Sequence, residues 1–312
     1  MPQENLAGRT IATYRLLERV GEGGTATVYR ADHPEHGRVA VKILRERLRA
    51  DPTAIKRFLR EAGYHSRVVH PSVVRTFDYG EVDGLHYLAL EWVDGEPLSK
   101  FVQRSGRLSP SLSAHIVSGL SEGIDAAHAV GIIHRDLKPE NIVYNPSTRE
   151  VKLLDFGIAR DAELDAAERL TRTGFFVGTL HYVAPEALSG ELVEEAADIY
   201  SVATIAYYLL TGRHPYSGRS PRELFQQLLT QDPTALNAAV PGLTFPRALE
   251  RAVMRGLSRN PADRQQSVTE LARQISLGAE GAPESPAEAG DGGRGFLGGI
   301  KSMFRRNREE NY

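Results

Sequence analysis

Ile133-His134-Arg135-Asp136-Leu137-Lys138-Pro139-Glu140-Asn141, followed by Leu154-Asp155-Phe156-Gly157, decides how this chain is read. Working outward, Val183-Ala184-Pro185-Glu186 lies downstream, with Glu186 31 residues after Asp155. Upstream stand Val39-Ala40-Val41-Lys42 and the run Gly21-Glu22-Gly23-Gly24-Thr25-Ala26-Thr27-Val28. Glycines let a backbone approach a phosphate and aim N–H groups at it. A lone glycine-rich run reads more readily as a plain hairpin turn, and no Walker-type G-x-x-x-x-G-K-[ST] occurs in the chain. Lys42 admits two readings as well: a surface lysine at a strand end, or a cation for phosphates oriented by a carboxylate. Glu61 is the acid inside the apolar-periodic body of the next expected helix, which makes it the natural partner.

The local pattern divides the chain near Glu91–Asp94. Before that point, Tyr14–Val20, Thr27–Ala31 and Val39–Leu44 read as strands, rich in β-branched and aromatic residues and punctuated by glycine. Residues 51–68 read as a helix, with Asp51 as N-cap and Pro52 in the first turn. Val73–Tyr79 and Leu85–Glu91 read as a hairpin around Asp83-Gly84. After Asp94 the periodicity turns helical, with helices expected over 109–130, 198–210, 221–230, 246–257 and 268–277. The expected fold class is therefore α+β, a small β-rich half with one main helix before a larger α-helical half. From Gly278 to residue 293 the chain lacks large apolar residues, as a linker does. Residues 294–312 then place Phe296, Leu297, Ile300, Met303 and Phe304 on one helical face among arginines, a basic amphipathic pattern.

Composition excludes several classes. With 41% hydrophobic and 25% charged residues, the 312-residue chain has the make-up of a soluble globular protein. A net charge of −2 gives no bulk attraction for nucleic acid. The chain has no cysteine, which removes disulfides, thiolate catalysis and cysteine-ligated metals, and suits a reducing cytoplasm. The N-terminus carries no secretory pattern. The longest apolar stretch, residues 199–210, is too short for a bilayer needing about 20 residues and reads as a buried core helix.

Taken together and in order, the five motifs resemble those of the eukaryotic-type, bacterial-like serine/threonine protein kinase family, over roughly residues 14–277. The resemblance implies a two-lobed kinase fold: an extension over 1–13, an N-lobe over 14–93, a C-lobe over 94–277, then the linker and the tail. It implies transfer of the ATP γ-phosphate to Ser/Thr hydroxyls of protein substrates, with Mg²⁺ as cofactor and Mn²⁺ as a substitute. Carried over residue by residue, Asp136 aligns the acceptor hydroxyl, Lys138 holds the γ-phosphate, Lys42 holds the α/β-phosphates and Glu61 orients Lys42. Asn141 and Asp155 ligate the metal. The nucleotide site comprises Val20, Gly21, Gly23, Gly24, Val28, Ala40, Lys42 and Val143, with Leu90 as gatekeeper and Glu91 and Val93 as hinge. Lys138, with Thr179 in the acceptor loop, points to serine and threonine.

Further expectations follow from the same resemblance. Thr171 and Thr173 are autophosphorylation candidates, with Arg135 as the phosphate-sensing partner. His134 is read as a structural residue, Asp198 as a brace for the catalytic loop, and Glu186–Arg264 as a structural ion pair. His33 and His36 are read as solvated. Ala26 stands where the family's loop often has a third glycine, and Ala203 replaces another common glycine. The family leaves room for a homodimer, and the tail for peripheral membrane or partner contact. The rival readings are a pseudokinase scaffold, which should lack one of Lys42, Asp136, Asn141 or Asp155, and a small-molecule kinase, which should lack the Ala184-Pro185-Glu186 segment.

Overall fold

Period-two alternation along Gly37–Leu44 divides the small lobe into two faces. Val39, Val41 and Ile43 join one apolar cluster, while Leu44 and the half-buried Ala40 join another that also holds Phe58 and Ala62. Lys42 shares the second face, so the alternation aims its side chain inward. The computed structural model describes residues 5–155, 180–189 and 193–280. Strands β1 (Thr10–Ile11), β2 (Tyr14–Glu22), β3 (Ala26–His33), β4 (Gly37–Leu44), β5 (Thr76–Val82) and β6 (Leu85–Glu91) form one antiparallel sheet in the order β1-β2-β3-β4-β6-β5. The β5–β6 turn has Asp83 and Gly84 both at positive φ, 53° and 74°, which matches the strand twist.

Helix α1 (Pro52–His65) packs under this sheet. The Asp51 side chain accepts from the Thr53 and Ala54 N–H groups, and Pro52 occupies the first turn. The helix stops at His65, three residues short of the expected Val68. Residues 5–13, within the expected extension, join the small lobe. Leu6 and Ile11 are each 2% exposed and belong to the small-lobe core, and β1 adds an edge strand. His33 corrects a further expectation: it is half-buried, hydrogen-bonded to the Thr13 hydroxyl at 2.9 Å, stacked on His36 and tilted against Tyr14.

Past Trp92–Gly95 the chain forms a small sheet of β7 (Glu96–Pro97), β8 (Ile142–Asn145) and β9 (Glu150–Leu153), with α2 (Leu98–Ser105), α3 (Pro110–His128), α4 (Pro185–Ser189), α5 (Glu195–Thr211), α6 (Pro221–Thr230), α7 (Arg247–Gly256) and α8 (Val268–Ala279). Helix α2 and the small sheet escape pattern reading because each is too short to show a period. Gly95, at φ 142°, makes the crossing between lobes passable. A Cβ there would lie 2.7 Å from Val143 Cγ1 and 2.8 Å from the Tyr144 carbonyl oxygen.

Helix α5 is buried almost all round. The hydroxyls of Ser201, Thr204 and Thr211 donate to carbonyls four residues back, which makes them tolerable in a core. Among the described residues, no helix is long and apolar enough to cross a membrane. Helix α8 runs through Gly278 to Ala279, beyond where the linker was expected to begin.

Candidate active site

The loop Ile133–Asn141 is held by a carboxylate from below. Asp198, fully buried at the start of α5, accepts the backbone N–H of His134 at 2.8 Å and of Arg135 at 2.9 Å. His128 also reaches the same carboxylate at 2.8 Å. Arg135 sits at φ 65°, a left-handed conformation that costs free energy in a non-glycine residue and persists only when its surroundings hold it. The buried His134 ring turns Nδ1 toward the chain and accepts the Asp136 N–H at 3.2 Å.

These bonds fix the carboxylate of Asp136, with Lys138 Nζ 3.0 Å from its Oδ2. Asn141 Nδ2 donates to the Asp136 carbonyl at 3.2 Å, which identifies Oδ1 as the atom available for coordination. The Leu154 N–H donates to the Asn141 carbonyl at 2.8 Å, bringing the end of β9 alongside the loop. Asp155 follows directly and forms an ion pair with Lys42 from β4. Burial disfavours the Lys42 ammonium, but Asp155 and then Glu61 outweigh it and hold its pKa above the ordinary lysine value. Burial likewise opposes ionisation of Asp155, yet Lys42 holds it below the usual carboxylate range. An anionic carboxylate and an amide oxygen, both hard donors, fit a divalent cation such as Mg²⁺.

One expected contact is not made. Lys42 pairs with Asp155, and no hydrogen bond or ion pair joins it to Glu61. Burial pushes the Glu61 carboxyl up to about 7, against the pull of Lys42, with Asp155 and Asp136 adding to the rise. The reason is local: an acid buried beside two other acids, sharing one lysine already engaged, has little to keep it ionised.

Of the residues expected around the nucleotide, Val20, Val28, Leu90 and Val143 are buried, and Ala40 and Val93 half-buried. Gly21 pairs with Val28 across β2–β3, and the turn closes by a Gly23 N–H bond to the Ala26 carbonyl. Arg45 and Arg47 hold the carbonyls of Gly23 and Gly24. At the hinge, the Glu91 side chain accepts from buried Lys152 at 2.8 and 3.0 Å, tying the end of β6 to β9. Neither this pair nor the Arg38–Asp94 clasp beside it was anticipated, because both join residues far apart in the chain. Below the site, Arg264 and Glu186 form a bidentate pair at 2.6 and 2.8 Å, with Arg264 1% exposed. Phe156, Gly157, Thr171, Thr173, Thr179 and the tail over 294–312 lie outside the described residues.

The protein kinase domain family matches residues 14–274. This chain belongs to the protein kinase family. Among curated relatives it is 38% identical over 271 residues to the serine/threonine-protein kinase pkn3 of Myxococcus xanthus, covering 85% of this chain and 50% of that one. It is 36% identical over 290 residues to the serine/threonine-protein kinase PknB of Mycobacterium tuberculosis, covering 91% of this chain and 46% of PknB. The chain therefore spans about half the length of these relatives. Among solved structures, the PknI kinase domain of Mycobacterium tuberculosis aligns with TM-score 0.66 and 30% identity, over 87% of this chain and 98% of that one.

Proposed function

We propose that this kinase transfers the γ-phosphate of ATP to serine or threonine hydroxyls of protein substrates. The observation that carries the reading is the fixed set at the lobe junction. Asp136 is held by its own loop, Lys138 lies 3.0 Å away, and Asn141 and Asp155 are joined through Leu154. A pseudokinase scaffold would lack one of Lys42, Asp136, Asn141 or Asp155, and all are present.

In this reading Asp136 orients the acceptor hydroxyl and takes its proton, while Lys138 offsets charge on the transferred group. Lys42 binds the α/β-phosphates after exchanging Asp155 for them, and Glu61 then becomes its counter-ion. Asp155 and Asn141 Oδ1 would hold Mg²⁺, or Mn²⁺ in its place. The metal supplies neutralisation of phosphate charge, which matters most because the transition state is loose. Val20, Val28, Ala40 and Val143 would shield the adenine from water, and its polar edge would meet the backbone of Glu91 and Val93.

Thr171 and Thr173 are proposed as autophosphorylation sites, read out by Arg135. Mass spectrometry of the chain incubated with Mg-ATP, beside an Asp136→Asn control, tests the reading. Phosphate on Thr171 or Thr173 of the unmutated chain alone is the expected result; phosphate on neither chain, with an added acceptor protein also unmodified, sinks it. The basic amphipathic tail is proposed to give a cytoplasmic enzyme peripheral contact with an anionic membrane. Co-sedimentation with anionic vesicles should fall when residues 294–312 are deleted, and an unchanged bound fraction would refute that contact.

A further inference from the structure

We propose that Arg45 and Glu22 are positioning residues that clasp the glycine-rich turn in the shape that receives phosphate. The clasp deepens the ATP reading of the site and rests on it. Arg45 directly follows β4, three residues past Lys42. Its guanidinium fork is split between two acceptors: Nη1 donates to the Gly23 carbonyl at 3.1 Å, and Nη2 lies 2.6 Å from Glu22 Oε1. The other Glu22 oxygen pairs with Arg19, so this carboxylate, 15% exposed, is gripped from both sides. The Arg45 N–H adds a bond to the Thr25 carbonyl at 3.0 Å, and Arg47 Nη2 one to the Gly24 carbonyl at 2.9 Å. Ala26 ends the turn where a third glycine is common, and it is buried in a cluster with Leu44 and Phe58.

In a trans peptide the C=O and the following N–H point to opposite sides. With the Gly23 and Gly24 carbonyls drawn to the arginines, the Gly24 and Thr25 N–H groups turn the other way. Successive N–H groups on one side make a concavity for an anion. The arginines also polarise these peptides, which strengthens their N–H groups as donors. One stretch of chain, from Lys42 to Arg47, thus carries the phosphate-binding cation and shapes the turn above it. Arginine suits the place because its planar fork holds a carbonyl and a carboxylate at once, whereas a lysine ammonium is a point charge. Without the clasp a glycine-rich turn samples many backbone shapes, and ATP must order it on binding.

The test measures equilibrium binding of Mg-ATP and of adenosine by the full chain, with Arg45→Met, Arg45→Lys and Glu22→Gln beside the parent. Adenosine has no phosphate and reports the rest of the nucleotide site. Arg45→Met should weaken Mg-ATP about fivefold or more and leave adenosine within about twofold, since the cost falls on ordering the turn. Arg45→Lys should recover only a minor part of that loss. Glu22→Gln gives the deciding sign. Charge alone makes ATP bind tighter once an acid beside the phosphates is neutralised. The clasp instead makes binding weaker, by about twofold or more. Equal losses for ATP and adenosine, full recovery with lysine, or Glu22→Gln binding ATP as well as the parent or better would each overturn the clasp. Should Arg45→Met not fold, the Glu22→Gln sign alone decides. Amide hydrogen exchange over residues 21–26, without nucleotide, should quicken about tenfold in Arg45→Met and Glu22→Gln. Unchanged exchange also overturns the clasp. If the parent binds no ATP, the ATP reading fails by itself, and the exchange measurement still tests the clasp.

Discussion

Glu61 shows how one side chain can carry both the strain and the chemistry of the site. Its carboxyl, pushed up to about 7 mainly by burial, keeps a proton in the folded chain that an ordinary glutamate with pKa 4.5 has released. Between those two values the folded state binds more protons than the unfolded one, so this group lowers stability as pH rises. Glu61→Gln removes the ionisation while keeping shape. Measured without nucleotide, the melting temperature of the variant should gain on the parent between about pH 5 and pH 8. A constant difference across that range would show that Glu61 ionises normally. By contrast, the fully buried Asp198 carboxylate meets three partners: two backbone N–H groups and His128. The role of Asp198 was legible from its place in the motif order, but the shifted state of Glu61 was not, because it depends on Asp136 and Asp155 arriving from other segments.

At the scale of elements, sequence reading worked where local chemistry decides. Helix α1 begins where Asp51 and Pro52 say it should, since the cap and the fixed proline φ act within a few residues. Asp51→Ala should cost about 0.5–2 kcal/mol of unfolding free energy, read by denaturant titration, because two helical N–H groups lose their acceptor. No measurable change would mean that packing against β5 and β6 holds the helix start unaided. The far end of α1 lies three residues before the expected Val68. Helix α1 ends at His65, whose ring meets the Leu154 carbonyl, and nothing within residues 51–68 announces a partner so far along the chain. The small sheet β7–β9 was missed likewise: Glu96–Pro97 pairs with Val143 and Tyr144, and a two-residue strand has no pattern of its own.

For the whole molecule, the two lobes meet through ties that combine charge and close approach. Glu91 to Lys152, Arg38 to Asp94 and Gly95 against Val143 each span the junction or shape it. The base of the large lobe is held by the buried Arg264–Glu186 pair, where loss of either partner would strand a charge away from water. Helices α7 and α8 pack so closely that a Cβ on Gly278 would stand 2.5 Å from Leu249 N and 2.6 Å from Leu249 Cα. Gly278→Ala should therefore destabilise by about 1–3 kcal/mol, because the obstruction is backbone. The sign is diagnostic: in an open helix the same change would stabilise by about 1 kcal/mol through helix propensity. A raised melting temperature would refute the close approach.

The sequence by itself determined what short-range chemistry and ordered motifs can carry. It contained the lobe order, the strand and helix types, and the family to which the chain belongs. Only the tertiary structure decided whom each group meets. It turned Lys42 to Asp155 rather than Glu61, drew Leu6 and Ile11 into the small-lobe core, and made Gly278 a contact instead of a break. The physical reason is common to all three. Residue type and spacing fix which face a side chain occupies, whereas its partner depends on which distant segment is packed against that face.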